Sequence, residues 1–368
     1  MISETKDTQK DIYARVTGGT SSGCATMNLG GSIRVNPTGI ALLCGVIILL
    51  LYFNSGGSKV DPRTRSQSVN LKDLLSVAIS VAENGGKEVV AVREEADIGE
   101  SSKGKTREGA NDPKTDGDMK SHVQMYYGLK KKFPNVQIIS EEHDEKEVDM
   151  SKVHHASEKN AEVEELLNGI NIELPVDDVA VWIDPLDAMW EFAENHRQFV
   201  TTMVCVAVKG QPMLGIIHKP FEQTTAWGFA SQKLVSKSLK DNLGSGQETD
   251  LASARIIVSR SHAGDVETVA KETFGPGITV TPAGGAGFKA WEVVKGTQDA
   301  YIHTTLIKKW DICAGAAILN ALGGKMTTLK GDTIDFGRAD QEKNEGGLVA
   351  TMHDHEQFLD KLESLLIH

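Results

Sequence analysis

Apolar and polar residues follow three different rhythms along the chain, and each predicts a different kind of element. Residues 39–53, GIALLCGVIILLLYF, carry no charge, and with residues 33–38 they approach the roughly 20 residues that cross a bilayer. They predict an uncleaved transmembrane anchor. A buried core helix and a signal-peptide core are the rival readings, but a cleaved signal would lie nearer the start and end in small residues. A tail, 1–38, precedes the anchor, and the Gly- and Ser-containing stretch 54–69 reads as a flexible stem. Flanking charge is nearly balanced, so the positive-inside rule orients the anchor only weakly.

From Val69, VNLKDLLSVAISVAENGGKEV places apolar residues at helical spacing, with Gly85 and Gly86 expected to stop the helix. The polar SKGKTREGANDPKTDGD that follows reads as a mobile loop before a second helix around Met119–Lys132. VQIIS, VAVWID, VTTMVCVAVKG, PMLGIIHKP and TAWGFA are short, β-branched and bounded by turn residues, the signature of strands. The acidic stretch 141–169 and the polar stretch 231–253 read as solvated surface excursions. After Ala254 the order becomes strand (RIIVS), helix, strand (ITVTPA), helix (GFKAWEVVKG), strand (DAYIHT), helix (KWDICAGAAILNALG), strand, and a last helix near His353–Leu366. The chain is therefore expected to be an α/β protein, with residues 70–250 of α+β character and residues 251–368 of layered α/β character.

Composition narrows the functions open to such a body. At 368 residues and 40% hydrophobic content it can build a sizeable core, and a formal net charge of -12 argues against a nucleic-acid polymer as partner, which needs a basic face. Any phosphate it handles calls for a bridging cation. Cys24, Cys44, Cys205 and Cys313 show neither CxxC nor Cys/His spacing, so neither a zinc site nor a disulfide framework is indicated.

The stretch VAVWIDPLD carries the most chemistry. A strand delivers Asp184 to its end, where Pro185 fixes φ and is expected to end ladder pairing. Asp184, Asp187 and the Leu186 carbonyl can then face one point, an oxygen-rich half-shell that suits Mg²⁺. An Asp-Pro capped turn is the structural alternative. Glu141 follows the strand VQIIS, Asp118 ends the loop KTDGD, and Asp311 begins the helix KWDICAG, so each lies where distant parts of a chain can converge. A plain helix-start aspartate and a solvated loop charge are the bland readings of Asp311 and Glu141. Together these carboxylates, without zinc-type ligands, point to a centre of two or three Mg²⁺ ions for phosphoryl transfer to water.

The residues EE after a strand, WIDPLD with EF following, and KKWDICAGAAILNALGGKMT closely resemble the motifs of the inositol monophosphatase superfamily of lithium-sensitive, magnesium-dependent phosphatases. VSRSH at 258–262 and AGGAGFK at 283–289 resemble its bisphosphate-nucleotidase branch, and the anchor, KGKTREGA and LGIIHKPF are similar to the Golgi-resident form of that branch. The likeness covers nearly everything after Val69. It implies a layered αβαβα fold, a membrane-anchored body in the Golgi lumen in single-pass type II orientation, and removal of the 3′-phosphate of adenosine 3′,5′-bisphosphate. A homodimer is common in the family. Residue by residue it implies that Glu141, Asp184, Asp187, Asp311 and the Leu186 carbonyl bind Mg²⁺, that Asp118 helps to activate water, and that Ser259, His262, Gly285 and Lys289 hold the nucleotide. The glycine-rich turn before a helix agrees with this, since backbone N–H groups there can approach an anion; alone, the same turn reads equally well as a tight helix entry.

One position departs from the pattern. The family loop places a threonine where this chain has Met189, and that hydroxyl pairs with the carboxylate equivalent to Asp118 to orient water. A thioether has no proton to donate and accepts hydrogen bonds only weakly. The departure bears on turnover rather than on metal binding, and Thr115 is the nearby candidate for a substitute hydroxyl.

Overall fold

Residues 67–105, 111–144, 147–244, 250–260 and 266–366 are described in a computed structural model of the chain. The predicted anchor and its tail lie outside them, as does His262. Among the described residues no helix is long and apolar enough to cross a membrane.

Asn70 starts the first helix, α1 (Leu71–Arg93), its side-chain oxygen accepting from the N–H groups of Lys72 and Asp73 at 2.9 and 3.2 Å. Contrary to the expectation from Gly85 and Gly86, α1 runs straight through both. They are points of close approach: a Cβ at Gly85 would lie 2.5 Å from Ser121 Oγ, on the second helix α2 (Asp116–Lys132), and one at Gly86 would lie 2.5 Å from His218 Cδ2. Here glycine costs helix propensity of about 1 kcal/mol and gains contact with the layers on either side.

Six strands form the first sheet in chain order: β1 (Gln137–Ser140), β2 (Val179–Asp187), β3 (Thr201–Val208), β4 (Gln211–Lys219), β5 (Thr224–Phe229) and β6 (Leu234–Val235). β1 and β2 are parallel and the remaining neighbours antiparallel. Pro185 does not end β2. Asp184 stands opposite Met203 and Asp187 opposite Thr201, so the proline sits in a bulge and pairing resumes beyond it. Both aspartates therefore belong to one strand.

The second sheet has the order β8-β7-β9-β11-β10, built from β7 (Arg255–Ser259), β8 (Thr279–Ala283), β9 (Ala300–His303), β10 (Lys325–Thr327) and β11 (Leu348–Thr351). Its helices are α4 (Val266–Phe274), α5 (Ala286–Val294), α6 (Lys309–Leu322) and α7 (His355–Leu366), after a short α3 (Met189–Ala193) in the first half. Three cores set the layers. Leu74, Leu75 and Val81 of α1 and Met125 and Leu129 of α2 pack on Val181, Val204 and Ile216 of the first sheet. Trp182, Met203 and Cys205 on the opposite face meet Trp291 of α5 and Ile312 and Ala316 of α6, which in turn cover Ile257 and Tyr301 of the second sheet. Ala270, Phe274, Phe358 and Leu362 of α4 and α7 close its far side over Ile256 and Val258. The result is five alternating layers, αβαβα.

Two stretches expected to lie loose do not. Within 101–114 the strands Ser101–Lys105 and Asn111–Lys114 pair as an antiparallel hairpin. The acidic excursion returns Ala156, Val163 and Leu167 to the core beside α1, Val153 is buried too, and Glu142 is itself only 4% exposed.

Candidate active site

The bulge in β2 is the hinge of the site. Asp184, 1% exposed, stands before Pro185, and Glu141 follows β1, with its N–H donating to the Ile183 carbonyl at 3.1 Å. Asp311 comes from the first turn of α6, in the second half of the chain, where its Oδ2 accepts from Lys308 N–H at 3.1 Å. Glu141, Asp184 and Asp311 each offer a carboxylate oxygen within 4.8 Å of the others. Loss of solvent, then the charges of Glu141 and Asp187, push the Asp311 carboxyl well above the usual carboxylate range. Hard oxygen donors gathered against their own repulsion fit a Mg²⁺ ion, which would relieve that repulsion.

Asp187 has different company. Its Oδ1 accepts from Ala286 N–H at 3.0 Å, and its Oδ2 from Gly287 N–H at 2.8 Å and from the Thr201 hydroxyl at 3.1 Å. The N–H groups that open α5 thus already hold an anion, supplied by the first half of the chain. Burial raises the Asp187 pKa, while Lys289 and these donors work against the rise. A carboxylate oxygen has two acceptor sites, so Oδ1, with one of these donors, can still take on a metal. Thr201 was not singled out by the sequence, since nothing in VTTMVCVAV distinguishes a hydroxyl that faces a carboxylate from one that fills a strand.

Leu186, between the two aspartates, buries its side chain beside Val89, Val92 and Phe192. Gly285 has φ +65° and ψ 128°, and a Cβ there would lie 2.7 Å from the Phe199 carbonyl oxygen. The turn is thus specific to glycine for both conformation and space. Lys289 is 3% exposed; its ammonium donates to Gly285 O at 2.6 Å and lies 5.1 Å from the centre of the Tyr301 ring. Burial pulls its pKa down to about 8 against the opposing pull of Asp187, Glu191 and Asp311. It braces the glycine turn from beneath. Ser259 ends β7 directly opposite Ala283 in the parallel β7–β8 register, which brings it beside this turn.

Asp118 is 1% exposed in the first turn of α2. Its Oδ2 accepts from Thr115 N–H at 2.8 Å and from the Thr115 hydroxyl at 2.6 Å. One turn on, Ser121 donates to the Pro185 carbonyl at 2.7 Å, which pins this end of α2 to the β2 bulge. Met189 follows Ala188, which has a left-handed φ of 71°, and its side chain packs against the cluster of Val89, Val92, Leu186, Phe192 and Val200.

Cys205 of β3 and Cys313 of α6 form a disulfide with a Cα–Cα distance of 5.6 Å, although 108 residues separate them. It ties the strand that carries Thr201 to the helix that carries Asp311. Cysteine spacing gave no sign of it, because the two meet only where α6 crosses the sheet.

Comparison with known proteins agrees with this geometry. Residues 70–366 match the inositol monophosphatase family. Inositol monophosphatase 3 of Danio rerio is 43% identical over 342 residues, covering 90% of this chain and 96% of its own. The Golgi-resident adenosine 3′,5′-bisphosphate 3′-phosphatase of Homo sapiens is 42% identical over 361 residues, covering 90% of this chain and 97% of its own. An inositol monophosphatase from Anabaena has a solved structure similar at TM-score 0.56 and 18% identity, over 80% of this chain and 96% of that one. At that identity the likeness concerns the fold.

Proposed function

The chain belongs to the inositol monophosphatase family and is a phosphoric monoester hydrolase, and from that premise we propose that it removes the 3′-phosphate of adenosine 3′,5′-bisphosphate, giving AMP and inorganic phosphate. The observation that carries the reading is the convergence of Glu141, Asp184 and Asp311 from three separate elements. With Asp187 and the Leu186 carbonyl they would hold two or three Mg²⁺ ions. When bound, Mg²⁺ supplies neutralisation of the phosphate oxygens and of the charge that develops in the transition state. The chain does the rest. Asp118 takes a proton from water, the water oxygen bonds to phosphorus in line with the ester, and the 3′-oxygen departs with a proton from solvent. Ser259, His262 and the turn at Gly285 are assigned to hold the nucleotide, with Lys289 holding that turn in place.

In this reading the chain is anchored in the Golgi membrane with its body in the lumen, lithium inhibits it, and it clears a by-product of sulfation. The relatives named as Golgi-resident support the compartment, and so does the Cys205–Cys313 disulfide, since disulfides persist in oxidising compartments. A second reading, hydrolysis of an inositol monophosphate, is favoured by the name of an equally similar relative. Comparing kcat/KM for adenosine 3′,5′-bisphosphate and inositol 1-phosphate, with the full chain in detergent and Mg²⁺, separates them. The nucleotide is expected to lead by roughly a hundredfold or more; a lead for the inositol ester would establish the second reading.

A further inference from the structure

Asp118 is the proposed proton acceptor, and its orientation is the problem that Met189 poses. The structure places a different hydroxyl against that carboxylate. Thr115 is 2% exposed and stands just before α2, where both of its donors, the backbone N–H and the hydroxyl, converge on the same oxygen, Asp118 Oδ2. The hydroxyl contact of 2.6 Å is in the short range of charge-assisted O–H···O⁻ bonds. The Met189 side chain, in contrast, is committed to an apolar cluster with Val89, Val92 and Phe192.

We propose that Thr115 is the positioning residue for Asp118: its hydroxyl fixes the carboxylate that takes the proton from water, in a chain that has no hydroxyl at position 189. Three features build the device. The two donors on Oδ2 remove rotation about the carboxylate's terminal bond. The helix turn that carries Asp118 is fixed to the β2 bulge through Ser121 and Pro185 O. Gly117, between Thr115 and Asp118, lets that turn approach Leu186 and Phe192, where a Cβ would meet side-chain carbons at 3.1 and 3.2 Å. Thr115, Asp118 and the Asp184–Asp187 bulge are thereby linked by direct contacts. The proposal rests on the phosphatase reading above, in which Asp118 accepts the proton.

Thr115→Val keeps the shape and the backbone N–H while deleting the hydroxyl; Thr115→Ser keeps the hydroxyl. Both are compared with the unmodified full-length chain, in detergent, for kcat and KM on adenosine 3′,5′-bisphosphate, for Mg²⁺ affinity by calorimetry, and for melting temperature without metal. Thr115→Val is expected to lower kcat roughly ten- to a hundredfold with KM and Mg²⁺ affinity little changed, since an orienting bond to a charged group is lost. Thr115→Ser should stay within about threefold of the unmodified chain, and Thr115→Val should add no further loss to Asp118→Asn. A kcat retained in Thr115→Val would overturn the proposal, as would a serine variant as slow as the valine one. So would a melting temperature and Mg²⁺ affinity that fall together with kcat in both variants. A tenfold or greater gain in kcat from Met189→Thr would also contradict it, by showing Asp118 to be poorly held. An unmodified chain that releases no phosphate from either phosphomonoester would sink the phosphatase reading and this proposal with it, a result distinct from hydrolysis that survives loss of the hydroxyl.

Discussion

Asp184 and Asp187 lie three residues apart on one strand, yet their carboxylates are handled in opposite ways. Asp184 faces Glu141 and Asp311, three like charges with oxygens inside 4.8 Å. Asp187 faces two backbone N–H groups at a helix start and a threonine hydroxyl, all between 2.8 and 3.1 Å. The first arrangement gathers negative charge that a bound cation would relieve; the second joins the two halves of the chain through hydrogen bonds already made. Gathered like charge points to a ligand site, and Asp187, at its border, adds a brace between the two halves of the chain.

The largest effect should come from the repulsive cluster. Asp311→Asn is expected to lower Mg²⁺-dependent phosphate release by on the order of a hundredfold or more. It should at the same time raise the melting temperature of the metal-free protein, because one of three like charges is gone. Scanning calorimetry without metal reads the second effect, and a fall in melting temperature would erase the contrast between the clusters. Asp187→Ala should have the opposite sign, destabilising the metal-free protein by about 3 kcal/mol as Ala286 N–H, Gly287 N–H and Thr201 lose their acceptor; urea unfolding checks this. Gly285→Ala tests the same brace from the other side and should cost about 2 kcal/mol, since the new Cβ meets Phe199 O in a left-handed backbone.

The smallest effect sharpens the comparison by separating the carboxylates from a buried histidine. Burial, then Lys87, holds the His218 pKa down to about 4. Its pKa is lower in the folded chain than in the unfolded one, so the stability it permits is present above about pH 6.5 and is lost as pH falls toward 4. By pH 5 that loss is up to about 2 kcal/mol, and His218→Gln should flatten the curve of unfolding free energy against pH in this window. An unchanged curve would assign the acid lability to other groups.

Much of this was legible in the chain itself, for physical reasons that vary by region. The first five strands of the first sheet declare themselves as short apolar runs bounded by turn residues, whereas β6 lies in the stretch read as a surface excursion, with Val235 buried. Glu141, Asp118 and Asp311 are legible because they fall near the ends of elements, while Asp184 sits at a bulge inside β2. The anchor and His262 lie outside the described residues. Gly85 and Gly86 misled as a stop signal because their role is set by α2 and β4, which no local pattern includes. The disulfide, the hydroxyl of Thr201 and the donors to Asp187 were hidden for the same reason: each depends on a partner from another layer. The 101–114 hairpin lacks apolar alternation, since it pairs by its backbone. Thr115 was visible as a hydroxyl near Asp118, but only the geometry shows that it reaches.

The central claim is that the three-carboxylate cluster is a magnesium-dependent phosphatase site. Phosphate release from adenosine 3′,5′-bisphosphate by the full chain, stripped with chelator and titrated with Mg²⁺, tests it most directly when Asp311→Asn is run in parallel. Saturable activation of the unmodified chain, with the variant slow at every Mg²⁺ concentration, is the predicted result. Release that needs no divalent cation, or that is indifferent to Asp311, would contradict it.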